Sequence, residues 1–199
     1  METVFVYTND MKAKKQIESF AKESRTVGIG ETGIDLFKCT KDTIVPQIQW
    51  FRYFIRLSKD VNKPLIIHLR GKGAYRKALK VLKEEGSDVS GVFHCFNQSF
   101  HTYKKCIACG DFYFGIGGSL LLDRKNSKKL RKAVKKMSLE KIVLETDCPF
   151  LKPLEYSEKF NEPFSIPLII KEIANLKGID EELVARITTE NAIKLFHLQ

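Results

Sequence analysis

Two of the chain's four histidines and two of its acids occupy positions that could do hydrolytic chemistry. They are Glu31 in VGIGETGID, His68 in PLIIHLR, His94 in GVFHCF and Asp147 in IVLETDCP. Each sits at or just beside the end of a short aliphatic run. A carboxylate buried without a partner is strongly unfavourable, so a buried strand ending in acids must meet a cation, a donor network or water. Imidazole and carboxylate together suit a divalent ion, histidine favouring Zn, Mn or Fe and the carboxylates leaving room for Mg or Mn. Such an ion lowers the pKa of a water molecule and neutralises charge on a phosphoryl oxygen. One histidine at a strand end is ordinarily a core or rim residue; the convergence of four such groups is what favours a ligand set. His101 and His197 fall in helical stretches and read as surface or packing residues.

These residues are far apart in sequence and need a fold to meet. Period-2 and aliphatic runs predict strands at Val4–Thr8, Val27–Glu31, Pro64–Leu69, Gly91–Phe96, Phe112–Gly117 and Lys141–Asp147. Amphipathic segments predict helices over Ala13–Glu23, Val45–Val61, Ala74–Glu85, Phe100–Cys109, Ser127–Met137, Pro167–Lys177 and Asp180–Phe196. Alternating strand and helix imply an α/β protein with a parallel sheet, either doubly wound or rolled into a (β/α) barrel. In both architectures ligands bind at the carboxyl ends of the strands, where the four residues lie.

The 199 residues show no repeat, low-complexity tract or linker and are expected to form a single domain over 1–199. Hydrophobic residues at 43% and charged residues at 29% are those of an ordinary globular protein. No apolar run is long enough to span a bilayer, so no membrane partner is expected, and METVFVYTND lacks a signal-peptide pattern. Five cysteines without framework spacing read as reduced thiols, so the expected location is cytoplasmic or nuclear, not secreted. The CxxC at Cys106 and Cys109 has no second pair at zinc-finger spacing and reads as a helix end capped by Gly110. The net charge of +10 favours a polyanionic partner, the alternative being a solvated lysine-rich face.

The motifs VGIGETGID, PLIIHLR, VFHCFNQS, FYFGIGGS, IVLETDCPFLKP, NEP and TTENAIKLF occur in an order and spacing that resemble the TatD-type metal-dependent deoxyribonucleases, a branch of the metal-dependent hydrolase TIM barrels. The resemblance covers roughly residues 26–198. It implies a TIM-type (β/α) barrel and one or two divalent ions (Mg, Mn or Zn). By that resemblance Glu31 is a bridging metal ligand, His68 and His94 bind the second ion, and Asp147 is both ligand and water-activating base. Glu145 would support the Asp147 loop or be a satisfied polar neighbour. Arg70 would hold a phosphate, or be a solvent-facing arginine at a helix start. Asn161, in NEP, would belong to the substrate side of the site, with Phe160 standing where the family usually has a basic residue. Gly117 and Gly118 would let backbone approach the ligand closely or simply form a turn.

The family's first strand ends in an H-x-H pair, and no such pair is present here. The stretch VFVYTNDMKAKKQIESFAKE aligns with the family's third strand and the helix after it. The expectation is therefore an incomplete barrel, N-terminally truncated relative to the family, with about six of the eight strands. An open edge would call for exposed strands, a homodimer across the gap or a longer native chain. The ion would sit on Glu31, His68 and His94, leaving Asp147 as base or weak ligand. The implied activity is 3′-to-5′ hydrolysis of DNA with single-strand preference, with Lys72, Lys125, Lys128 and Lys129 as candidate backbone contacts. The rival readings are another metal-dependent hydrolase of the superfamily and a DNA-binding relative that has lost catalysis.

Overall fold

The structure, a computed structural model, describes residues 11–37, 39–86 and 88–198. Its elements run in the order α1 (Met11–Lys22), β1 (Ile29–Asp35), α2 (Lys41–Val61), β2 (Leu65–Arg70), α3 (Ala74–Glu85), β3 (Ser90–Phe93), α4 (Phe100–Ile107), β4 (Asp111–Ile116), α5 (Lys125–Val134), β5 (Ile142–Leu144), α6 (Ile166–Lys177) and α7 (Glu181–Phe196). Among the described residues the five strands form one parallel sheet in the order β1-β2-β3-β4-β5. Each strand pairs with the next in sequence through a helical crossover. A doubly wound sheet reverses its strand order at a switch point, and this one never does; it is a segment of (β/α) barrel wall. The expected strand at Val4–Thr8 lies outside the described residues.

Strand periodicity sorts the side chains onto two faces. Leu65, Ile67, Leu69, Phe93, Phe112, Phe114, Ile116 and Ile142 point into the main core, which α2 to α5 complete with residues such as Phe51, Ile55, Leu82 and Leu130. Phe114 packs edge-on to Phe96 and tilted against Tyr103, with ring centroids 4.9 Å and 4.7 Å away. The other parity belongs to the inner face. There Ile66, Val92, Tyr113 and Val143 meet Ala192, Leu195 and Phe196 of α7. Helix α7 thus closes the inner face, while two residues further along the strands the same parity delivers His68, His94 and Glu145 to the carboxyl ends.

Three strands end three or four residues from their expected bounds, each for a local reason. β1 runs on past Glu31 to Asp35, because a bulge between Gly30 and Thr32 absorbs Glu31 and lets the ladder resume. β3 stops at Phe93, because Cys95 takes a left-handed conformation at φ 47°. Pairing nevertheless resumes around it: His94 N donates to Ile67 O at 3.0 Å and Phe96 N to Gly115 O at 2.9 Å. β5 ends at Leu144, although Glu145 N still donates to Ile116 O at 3.3 Å, and the chain turns away through Asp147 at φ 55°. Cys106 and Cys109 are both buried at the end of α4, where Cys109 Sγ donates to Lys105 O at 3.2 Å, so the CxxC packs the helix end.

Buried carboxamides fix the strand ends. Gln47 on α2 accepts from Asp35 N at 2.7 Å and donates to Asp35 O at 3.0 Å. Asn191 on α7 donates to Leu139 O and Ile142 O at 2.9 Å and 2.7 Å, tying that helix to the start of β5. Removing a donor that serves two buried carbonyls costs about 1–3 kcal/mol. Asn191→Ala is expected to lower the urea-unfolding free energy by about that amount. An unchanged midpoint would show that α7 is held by its apolar contacts alone.

Candidate metal centre

The inner-face parity, the β1 bulge and the two left-handed residues bring the chemistry-bearing side chains to one mouth. A bulge leaves one residue without a partner across the ladder and re-aims its side chain. Here that residue is Glu31, whose side chain is 34% exposed. Its two oxygens face two different histidines: Oε2 lies 3.5 Å from His68 Nδ1, and Oε1 lies 3.6 Å from His94 Nε2. Asp147 Oδ1 is 3.6 Å from the same His94 nitrogen. The two imidazole rings are 6.3 Å apart between centroids.

His94 is oriented from behind. Its Nδ1 lies 2.9 Å from Glu145 Oε2, and the other Glu145 oxygen accepts Cys95 N at 2.6 Å. With the proton on Nδ1 donated to Glu145, the Nε2 lone pair faces Glu31 and Asp147. A carboxylate that fixes the tautomer of a ligating histidine in this way raises its basicity and holds its ring. Glu145 can lie there because position 115 is glycine: a Cβ at Gly115 would run into Glu145 Oε2. On His68 the far nitrogen, Nε2, lies 3.5 Å from Asp35 Oδ2, and Asp35 is itself held by Gln47.

The charge balance of the cluster follows from this crowding. Burial disfavours the charged imidazole of His94, yet the close approach of Asp147, Cys95 and Glu145 outweighs that and holds its pKa far above the ordinary histidine value. Burial likewise pushes the Asp147 carboxyl up, but His94 more than offsets it, and the net shift is downward. The Cys95 thiol, half-buried beside them, is pushed up by burial to about 12 and stays protonated at neutral pH.

The donor set fits a divalent cation. Glu31, His68 and His94 offer ligand atoms within 4.8 Å of one another, and a second such group is formed by His94, Cys95 and Asp147. Two donors each about 2.1 Å from a tetrahedral ion lie about 3.4 Å apart, close to the 3.5 Å and 3.6 Å observed. These separations are too long for good hydrogen bonds and suit groups that share an ion. A thiol with a raised pKa is a poor ligand, so Glu31, His68 and His94 make the stronger set.

Arg70 sits two residues beyond His68 with its guanidinium 4.1 Å from the centroid of the exposed Phe37 ring, at the outer edge of the mouth. Asn161 is 2% exposed. Its amide donates to Thr146 O and Phe150 O at 2.6 Å and 2.7 Å, and its carbonyl accepts from Glu162 N and Ser165 Oγ at 3.0 Å and 2.7 Å. That exhausts the bonding capacity of a carboxamide. In place of the substrate contact expected from the NEP motif, Asn161 holds the loop that carries Asp147. Asp35 and Gln47 were not singled out by the sequence. The only signal for Asp35 is an acid four residues beyond Glu31, and the bulge hides its alignment.

Acids and imidazoles at the carboxyl ends of a (β/α) wall, with a donor set for a divalent ion, define a metal-dependent hydrolase. The sequence profile described as "TatD related DNase" matches residues 4–197. YabD of Bacillus subtilis, an uncharacterized metal-dependent hydrolase, is 39% identical over 185 residues, 92% of this chain and 69% of that protein. The 3′-5′ ssDNA/RNA exonuclease TatD of Escherichia coli K12 is 31% identical over 188 residues, 92% of this chain and 70% of that protein. The crystal structure of YJJV, a TatD homologue from Escherichia coli K12, shares the fold with a TM-score of 0.86 at 21% identity, covering 98% of this chain and 74% of that one. The chain belongs to the TatD-related DNase family.

Glu145 supplies no ligand atom itself but bonds the far nitrogen of His94, so its replacement isolates the orienting effect. Glu145→Gln is expected to weaken Mn²⁺ or Zn²⁺ binding about 10- to 100-fold by calorimetry, with an unchanged melting temperature. Gly115→Ala, which displaces the same carboxylate, should move affinity in the same direction. Undiminished binding in both variants would remove Glu145 from the metal centre.

Proposed function

We propose that this protein hydrolyses phosphodiester bonds at single-stranded ends of DNA, working from the 3′ end, with a Mg, Mn or Zn ion held by Glu31, His68 and His94. The observation that carries the reading is the Glu31–His68–His94 cluster with Asp147 facing the same histidine nitrogen at 3.6 Å. When bound, a divalent ion neutralises charge on the phosphoryl group and acidifies water beside it.

The side chains divide the remaining tasks. Asp147, whose pKa is lowered, is ionised at neutral pH and can accept the proton that the attacking water gives up. Glu145 keeps the His94 ring turned so that one nitrogen stays available. Arg70 presents a planar fork of donors that matches a phosphate bidentately, and its packing over Phe37 limits the conformations it must give up. Phe37 and Phe150 are 50% and 55% exposed on the loops that follow β1 and β5. Exposed rings beside a phosphate-binding site are surfaces on which unpaired bases stack, and duplex bases are already stacked on one another. This supports a single-strand preference. The 31% identity to a protein named as a 3′-5′ ssDNA/RNA exonuclease supports both the polarity and the substrate class.

The test is digestion of 5′-labelled single-stranded DNA, and of RNA of the same sequence, with Mn²⁺ or Mg²⁺. A ladder shortening from the 3′ end is expected, abolished by EDTA and reduced about 10²- to 10⁴-fold in Asp147→Asn. Arg70→Ala should raise KM for the strand. Metal-dependent turnover of small phosphoesters without any strand cleavage would replace this reading with that of a different hydrolase.

A further inference from the structure

The described cations are not spread evenly. On α2, Arg52, Arg56 and Lys59 are matched by Glu84, Glu85 and Asp88. The opposite flank of α3 has no such compensation. An open groove of about 1160 Å³ runs between α3 and α4 and is lined by Lys72, Arg76, Lys80, Lys83, Lys105 and Lys129. Its one acid is Glu84, already engaged by Arg52 and by Lys80 at 3.8 Å. Lys72, Arg76, Lys83 and Lys105 have no acidic partner among the described residues, and Lys129 has only a 3.5 Å bond to Gln98.

The groove begins at the strand ends that carry the metal centre, with Arg70 at its upper end. Leu69 and Arg70 line it directly after His68, and Asn97 and Gln98 line it just after His94. Arg76, Lys80 and Lys83 follow the i, i+4, i+7 spacing of one helix face, so they make a ridge of like charge down the groove wall. Such a ridge opposes helix formation, and α3 also has no acid in its first turn to complement its dipole. From Arg76 to Lys83 the ridge rises about 10 Å, the length of about three phosphates of a stacked strand.

We propose that this groove is the path of the upstream strand: the 3′ end enters the metal centre, and the 5′ portion runs over Arg70 and down between α3 and α4, held through its phosphates irrespective of sequence. The inference rests on the single-strand nuclease reading and adds to it a length of substrate beyond the scissile bond. Among the described residues lining the groove the single aromatic is Tyr75, half-buried against Phe93 and Phe96, so the contact is chiefly with the backbone and specifies no base.

The test compares a 15-nucleotide with a 4-nucleotide labelled strand. Binding is read by fluorescence anisotropy over a salt series, in an Asp147→Asn background with Mn²⁺ so that the strand persists. The triple variant Arg76→Gln/Lys83→Gln/Lys105→Gln is expected to lose at least tenfold affinity for the longer strand. Its plot of log K against log salt should be shallower by about 2, at about 0.7 per cation removed. The 4-nucleotide strand, too short to enter the groove, should lose less than twofold. A control with the same charge change, Arg25→Gln/Lys171→Gln/Lys194→Gln, should leave both strands close to the parent. Equal losses for the two lengths, no loss for either, or an equal loss in the control would overturn the proposal. Failure of the nuclease reading is seen separately, as an absence of cleavage of the 4-nucleotide strand by the chain with Asp147 intact.

Discussion

Four carboxylates gathered around two imidazoles set the terms for the whole mouth of this protein. Glu31, Asp35, Glu145 and Asp147 each lie within about 3.6 Å of a histidine nitrogen, with side chains only 17–34% exposed. Like charges 4 Å apart repel by about 4 kcal/mol at an effective dielectric near 20, so carboxylates that share histidine neighbours disfavour one another. The arrangement persists only if positive charge is placed among them. In the ion-free cluster the proton held on His94 supplies part of it, which is why that imidazole titrates so high. A divalent ion takes over that role by displacing the proton, so metal binding and proton release are linked at this site.

The backbone around the cluster is shaped to permit this crowding. A bulge turns Glu31 inward, left-handed residues at 95 and 147 take the chain out of the ladder, and a missing side chain at Gly115 makes room for Glu145. Non-glycine residues in the left-handed region cost of order 1–3 kcal/mol each, and such strain is held only where surrounding contacts over-determine it. Those contacts are identifiable. Gln47 clamps the end of β1, Asn161 clamps the Thr146–Phe150 segment, and the resumed ladder bonds of His94 and Phe96 hold Cys95 from both sides.

What the sequence discloses and what it hides follow the same physics. His68 and His94 share strand parity with Ile66 and Val92, so a period-2 reading places them on the inner face without any three-dimensional information. Glu145 shares parity with Val143, but its partner Gly115 lies on another strand, and its orienting role emerges only when the two strands pair. Glu31 escapes parity altogether because the bulge shifts the count. Asn161 shows the opposite failure. The NEP motif lies in the loop that Asn161 ties to Thr146 and Phe150, yet whether a carboxamide faces substrate or chain depends on burial, which no motif records. The basic ridge on α3 is visible as Arg76, Lys80 and Lys83, but only packing shows which cations the acids of α3 neutralise and which they leave bare.

An acidic mouth on a basic molecule also explains how a phosphodiester could be drawn to a site that would otherwise repel it. Without an ion the carboxylates of the cluster outnumber the charge on His94 and face an incoming phosphate with negative charge, which Arg70 opposes from the edge of the mouth. The net charge of +10 and the uncompensated cations of the α3–α4 flank act at longer range, raising the local concentration of a polyanion before it reaches the mouth. In the proposed function attraction and chemistry are thereby separated: surface cations would gather the strand whether or not an ion is bound, while the centre would accept a phosphate only once its own charge is neutralised. On the proposed reading, metal occupancy would gate entry of the scissile group as well as its hydrolysis, and both would follow from placing the carboxylates where the sheet's own geometry concentrates them.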